Sequence, residues 1–224
     1  MSFKLPFGPA DILLPKTDNE KWACIACDQF TSQPEYWAEA DKLAGEAPSA
    51  LRVIFPEVYL EDGDSAARIA GINAKMREYL DGGVFEEYKN ALIYVERTLS
   101  SGRTRRGIVG AFALEDYSYE PGAKCLIRPT EGTVLSRIPP RVNIRRDAPL
   151  ELPHIMIFMD DKRREIIEGI DTAKLTKLYD FDLMLGGGHL CGWLIPEDEQ
   201  RRIFSGLTAL AQESGEEGER MLFA

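Results

Sequence analysis

The sequence has few of the residues that form disulfides or bind metals in small proteins, with four cysteines and two histidines among 224 residues. It contains no apolar run of about 18 residues, the length that a membrane-spanning helix needs, and its first residues lack the apolar core of a secretion signal. Acidic residues outnumber basic residues by 37 to 27, and the net charge of -10 argues against a nucleic-acid partner. These absences predict a cytoplasmic protein that binds neither membranes nor nucleic acids.

Cys24 and Cys27 form a CxxC pair, which raises the question of zinc or redox chemistry. A structural zinc site needs a second pair of ligands at short spacing, and the sequence offers none. The apolar run 21–27 predicts a buried strand, in which residues three apart point to opposite faces. Two core cysteines are therefore favoured over a metal or redox pair. His154 and His189 stand at the ends of predicted strands and are expected to be structural, so the sequence assigns no metal ligand.

Hydrophobic residues make up 44% of the chain and charged residues 29%, which is typical of a globular protein. Frequent hairpins and irregular alternation predict an α+β fold with a mixed or antiparallel sheet and flanking helices. The six prolines within 115–153 predict a long irregular connection rich in proline and arginine. Periodicity and turn signals predict helices over about 34–44, 65–81, 160–171 and 197–212, and strands over about 21–27, 51–55, 91–97, 104–114, 154–159, 179–185 and 189–195.

The triple glycine 186–188 has the composition of a phosphate-binding loop. It lacks the GxxxxGK[ST] pattern, and a strand rather than a helix is predicted to follow it. We therefore interpret it as the turn of a hairpin.

The domain organisation has two interpretations. Residues 1–224 form either a single α+β domain, with a sub-boundary near 150, or the N-terminal portion of a longer protein. The apolar residues 221–223 end the chain abruptly. They are expected to pack as an edge strand or to pair with a second copy in a homodimer, because exposed strand edges invite pairing.

Positive charge is concentrated in one segment of this acidic chain. Residues 97–146 hold ten basic and four acidic residues, so the segment carries +6 and the remainder -16. Because arginine binds phosphate and carboxylate groups bidentately, the segment could bind a phosphorylated ligand. Alternatively, its arginines pair with acidic residues on neighbouring surfaces. Composition does not decide between these two hypotheses.

Several short motifs stand in a fixed order along the chain. They are Leu5-Pro6-Phe7, the run from Ala26 to Trp37, Arg106-Gly107-Ile108-Val109-Gly110, Leu114-Glu115-Asp116-Tyr117 and Arg128-Pro129-Thr130-Glu131-Gly132-Thr133. Together they resemble a bacterial family catalogued as domain of unknown function 1015. The chain departs from that family at two sites: many members have Pro-Pro-Tyr-Asp where this chain has Ala26-Cys27-Asp28, and many have histidine where this chain has Thr130.

The resemblance implies a function, because family members carry a downstream segment similar to one in the fold of sulfiredoxin, plasmid-partition proteins and free-serine kinases. It implies a phosphotransferase that uses ATP and magnesium to phosphorylate a small, serine-like molecule. The alternative is a non-catalytic domain that binds a nucleotide or a phosphorylated metabolite and has a regulatory role. The implied site comprises Glu131 as the catalytic carboxylate, Arg137, Arg141, Arg145 and Arg146 as phosphate contacts, and Asp28 and Gln29 as substrate-binding residues.

Overall fold

A computed structural model describes residues 5–17, 19–113, 118, 120, 125–128, 132, 134–152, 154–217 and 222–223, with the backbone alone at 137, 214–217 and 222–223. Helices and small, mainly antiparallel sheets confirm the α+β prediction. The helices are α1 (Asn19–Trp22), α2 (Pro34–Ala44), α3 (Ser65–Asp81), α4 (Ile138–Arg145) and α5 (Glu197–Glu217). The strands are β1 (Phe7–Gly8), β2 (Ala10–Pro15), β3 (Phe85–Ala91), β4 (Ile93–Thr98), β5 (Thr104–Val109), β6 (Ala111–Phe112), β7 (Ile127–Arg128), β8 (Phe158–Met159), β9 (Thr176–Leu183), β10 (Gly188–Leu194) and β11 (Leu222–Phe223).

The largest sheet has four antiparallel strands in the order β5-β4-β10-β9. Both predicted hairpins lie within it, and glycines with positive φ form their turns. Gly102 (φ 79°) lies between β4 and β5, Gly186 (φ 70°) lies between β9 and β10, and Gly188 (φ 99°) is the first residue of β10. Glycine adopts this backbone conformation without steric cost. The triple glycine is therefore a hairpin turn, as its lack of a following helix indicated.

Two hydrophobic cores support this sheet and the N-terminal helices. One face of the four-stranded sheet contributes Tyr94 and Trp193, which belong to the same buried cluster as Ile203 and Leu207 of α5. The second core surrounds α3, whose buried face includes Met76. No helix among the described residues is long and apolar enough to cross a membrane.

Three predicted elements are wrong. Residues 21–27 do not form a strand: α1 ends at Trp22 and an irregular loop follows. Residues 51–55 form a 3-10 turn, Ala50–Arg52, followed by buried irregular chain. The helix predicted after Asp160 is a loop, in which the Asp161 carboxylate accepts hydrogen bonds from four successive backbone N–H groups. Val53 and Phe55 of the second segment and Ile166 and Ile170 of the third belong to hydrophobic clusters, whereas no residue of 21–27 is fully buried. Apolar runs alone therefore do not determine the backbone conformation.

The proline-rich segment 115–153 contains more regular structure than we expected. Its described residues include β7 and the eight-residue helix α4, which has Pro139 and Pro140 in its first turn, where proline is tolerated. At the end of the chain, β11 lies between β7, which is parallel to it, and β8, which is antiparallel. The expected edge strand is therefore an interior strand of a three-stranded sheet.

Candidate functional site

The loop of residues 23–33 connects α1 to α2 and carries the two predicted substrate-binding residues, Asp28 and Gln29. Both side chains are exposed, and Gln29 Nε2 donates to Asp28 Oδ1 at 3.4 Å. The loop is held in place by Phe30, whose ring stacks on Tyr36 at a centroid distance of 4.0 Å. The Phe30 carbonyl also accepts a hydrogen bond from Trp37 Nε1 at 3.3 Å. Asp28 and Gln29 are thus presented to solvent by an anchored turn.

Arg141 of α4 reaches the same loop through Glu57. The Arg141 guanidinium lies 2.8 Å from the Glu57 carboxylate, and the Glu57 backbone N–H donates to the Cys27 carbonyl at 2.8 Å. Burial raises the pKa of the Cys27 thiol, the nearby charges of Asp28 and Glu57 raise it further, and Arg141 opposes them. Arg141, one of the predicted site residues, is therefore linked through Glu57 to the loop that carries Asp28.

Arg97 of β4 is linked to the helix that follows the loop, because α2 contacts the turn at 184–186 and Arg97 donates to the next residue, Gly187. Burial raises the pKa of Tyr36 in α2, the Cys24 thiol raises it further and the Arg97 guanidinium lowers it. Arg97 Nη2 donates to the Gly187 carbonyl at 3.1 Å. Its Nε is buried and has no hydrogen-bond partner among the described residues. The sequence placed Arg97 in the basic segment but did not single it out, because a strand pattern does not show which arginine is buried.

The Nε of Arg128 in β7 is buried in the same way, with no hydrogen-bond partner in the described part of the chain. An arginine donates hydrogen bonds from five N–H groups, and a buried guanidinium normally uses them. Arg97 and Arg128 can therefore each donate a hydrogen bond from Nε for which the described residues provide no acceptor.

Residues 9–211 match the family described as "Protein of unknown function (DUF1015)". This chain belongs to the DUF1015 family. The match confirms the family predicted from the sequence motifs and gives no support to the kinase-like fold. No curated protein and no solved structure matches this DUF1015 chain.

The remaining predicted site residues of this DUF1015 chain are not brought to the 23–33 loop by any described contact. Arg145 lies four residues after Arg141, which puts both on one face of α4, and it pairs with Glu151 at 2.9 Å. Arg146 is exposed just after the helix. Arg137 has a described backbone, in the 3-10 turn Leu135–Arg137, and its side chain lies outside the description.

Glu131 lies outside the described residues, so its catalytic role stays a prediction. The ion pairs of Arg141 and Arg145 agree with the alternative hypothesis that these arginines bind neighbouring acidic residues.

A cleft of about 440 Å³ lies away from the predicted residues, between the 45–48 loop and α3. Its basic side chains are already paired: Arg52 contacts Asp41, and Lys75 contacts Glu78. The cleft includes none of the predicted site residues. We therefore base the functional argument on the 23–33 loop and its two arginines rather than on this cleft.

Proposed function

We propose that this DUF1015 chain binds a phosphorylated small molecule, such as a nucleotide, at the 23–33 loop. Arg97 supplies the buried phosphate contact and Arg141 the exposed one, with Asp28 and Gln29 as partners for the rest of the ligand. This function corresponds to the non-catalytic binding domain considered from the sequence.

The observation that carries the proposal is the buried Arg97 Nε, which has no hydrogen-bond partner among the described residues. Leaving a buried donor unsatisfied costs about 1–3 kcal/mol, and more when the donor is charged. A phosphate oxygen would satisfy this donor, and the planar guanidinium matches phosphate geometry in two parallel hydrogen bonds. The bond from Nη2 to Gly187 already fixes one end of the side chain, so little conformational entropy would be lost on binding.

Phosphoryl transfer from ATP and magnesium to a serine-like acceptor is the second candidate. Asp28 favours it, because this exposed carboxylate stands on the loop that Arg141 reaches through Glu57, and a transferase needs both acidic groups and phosphate contacts. In this candidate Glu131 is the catalytic carboxylate that the family resemblance implies.

The test compares the melting temperature of the chain with and without ligands. The phosphorylated probes are magnesium ATP, O-phosphoserine and inorganic phosphate, and adenosine and L-serine are their unphosphorylated counterparts. A ligand at 100 times its Kd stabilises the native state by about 2.7 kcal/mol. For a chain of this length, that raises Tm by about 5–11 °C. We expect this rise with at least one phosphorylated probe and not with its unphosphorylated counterpart.

The variant Arg97→Met tests the assignment, because it keeps the length of the side chain and removes the guanidinium. Arg103→Met is the matched control, since Arg103 is exposed at the end of the β4–β5 turn and belongs to the same basic segment. We expect the Tm rise to disappear in the first variant and to persist in the second. Equal loss in both would attribute binding to general positive charge, and no rise with any phosphorylated probe would contradict the proposal.

ADP release in the presence of L-serine distinguishes the two candidates. Turnover that Glu131→Gln abolishes would favour the kinase. Binding of ATP without turnover would favour the binding domain.

A further inference from the structure

A second cluster of reactive side chains lies on β9 and β10 of the four-stranded sheet. Cys191 pairs with Asp180 across the two strands, and His189 pairs with Asp182. Residues two apart in a strand point to the same face, so all four side chains share one side of the sheet. The potential ligand atoms of Asp180, His189 and Cys191 all lie within 4.8 Å of one another.

The contacts of His189 are unusual for a neutral imidazole. Its Nδ1 lies 2.7 Å from Asp182 Oδ1, and its Nε2 lies 2.8 Å from Asp180 Oδ1. An ionised carboxylate only accepts hydrogen bonds, and a neutral imidazole has one N–H. One ring nitrogen can therefore donate to its aspartate, while the other presents a lone pair to a second acceptor. At the observed 2.8 Å a proton lies between Nε2 and Asp180 Oδ1, and a metal ion can replace that proton when the two atoms move apart.

We propose that Asp180 Oδ1, His189 Nε2 and Cys191 Sγ form a binding site for a divalent transition-metal ion such as Zn²⁺. Asp182 then accepts the Nδ1–H of His189 and orients the ring, which is the usual arrangement for histidine ligands of metals. Lys177 donates a hydrogen bond to Asp180 Oδ2, the oxygen that is not a proposed ligand, and so fixes the orientation of that carboxylate.

The set of donor atoms selects the metal. Nitrogen, sulfur and oxygen ligands together suit zinc and cobalt, whereas magnesium and calcium prefer oxygen alone. A tetrahedral zinc ion separates its ligands by about 3.3–3.8 Å, given its bond lengths of roughly 2.0–2.3 Å. The three donors lie within 4.8 Å of one another, and His189 Nε2 and Asp180 Oδ1, which are 2.8 Å apart without the ion, separate by about 0.5 Å to admit it.

The three protein ligands leave the fourth tetrahedral position open, as in catalytic zinc sites. Glu96 faces Cys191 from β4, and its Oε1 accepts from the Tyr94 hydroxyl at 2.8 Å and from Arg106 Nε at 3.0 Å. We expect a water molecule, a small ligand or the other Glu96 oxygen to complete the coordination.

Cobalt is the probe for this site, because thiolate-bound Co²⁺ gives a ligand-to-metal charge-transfer band and tetrahedral Co²⁺ gives strong visible bands. We expect one Co²⁺ per chain with both signals, and we expect Zn²⁺ to displace it. Cys191→Ser should abolish the charge-transfer band. Cys27→Ser, which changes a thiol of the CxxC pair, is the control and should leave the spectrum unchanged.

Asp182→Ala provides a second measurement in case Cys191→Ser does not fold, since Asp182 is exposed and is not itself a ligand. Loss of such an orienting carboxylate typically weakens metal affinity about 10–100-fold. The proposal is overturned if Co²⁺ gives no thiolate band with the intact chain. It is also overturned if the band is lost in Cys27→Ser and retained in Cys191→Ser, because the metal would then be held at the CxxC pair.

Discussion

Gly192 of β10 lies directly beneath an aromatic ring, and enlarging it by one methyl group tests the strand register of the central sheet. Gly192 pairs with Tyr179 of β9. A Cβ atom at Gly192 would lie within 2.5 Å of Tyr179 Cε2 and would overlap other atoms of the same ring. Burial raises the pKa of Tyr179 to about 12, which agrees with a ring packed against the sheet. The ring occupies the space above the glycine that a side chain would otherwise fill.

The expected cost of Gly192→Ala follows from two opposing effects. Overpacking typically costs about 1–3 kcal/mol, and overlap with a rigid ring places this site in the upper part of that range. Alanine is favoured over glycine in a strand by about 0.5–1 kcal/mol. We therefore expect a net loss of about 1–2.5 kcal/mol in the free energy of unfolding. For a chain of this length, this lowers Tm by about 2–10 °C.

In a Tyr179→Ala background, Gly192→Ala should raise the free energy of unfolding instead of lowering it. Without the ring there is no overlap, so only the strand preference for alanine remains, and Gly192→Ala should stabilise by about 0.5–1 kcal/mol. Gly107→Ala in β5 is the matched control in the intact sheet. Its Cβ would meet Val95 Cγ1 at 3.8 Å, which is ordinary contact, so it should not destabilise.

Thermal and urea unfolding followed by circular dichroism measure all four variants. An equal cost of Gly192→Ala with and without Tyr179 would refute the reasoning, because the ring would then not be the source of the penalty.

Three further predictions concern a thiol, a loop and the core. Burial raises the pKa of Cys24 to about 12, so at pH 8 only about one thiol in ten thousand is ionised. Its alkylation by iodoacetamide, followed by mass spectrometry, should accelerate about tenfold per pH unit, and a plateau below pH 10 would contradict this. Asp161→Ala removes the acceptor of four backbone N–H groups and should destabilise by about 1–3 kcal/mol in urea unfolding, whereas Asp161→Asn, which keeps one oxygen, should cost less. Leu207→Ala, at a side chain that is 1% exposed, should cost about 2–5 kcal/mol, and a loss below 1 kcal/mol would show that α5 does not pack on the sheet as described.

The sequence alone determined the elements whose signals are local. The bounds of α2 were predicted residue for residue, because Pro34 suits the first turn of a helix and Gly45 follows the last. The α3 helix and both hairpins of the central sheet were predicted for the same reason, since their periodicity and turn glycines lie within a few residues of each other. The family motifs are equally local, and the match over residues 9–211 confirms the family that they indicated.

Only the tertiary structure decided which groups meet. The apolar run around Cys24 looked like a strand, yet it has no strand partner, and Trp22 packs instead on the rings of Tyr79 and Phe85. The Nε of Arg97 is buried because β4 is an interior strand of the sheet, and neither the neighbours of Arg97 in sequence nor its charge shows this. His189 appeared to be a lone histidine because the aspartates that contact it lie on the preceding strand, across the hairpin turn. Pairing register, rather than composition, places those carboxylates, and register depends on the whole sheet.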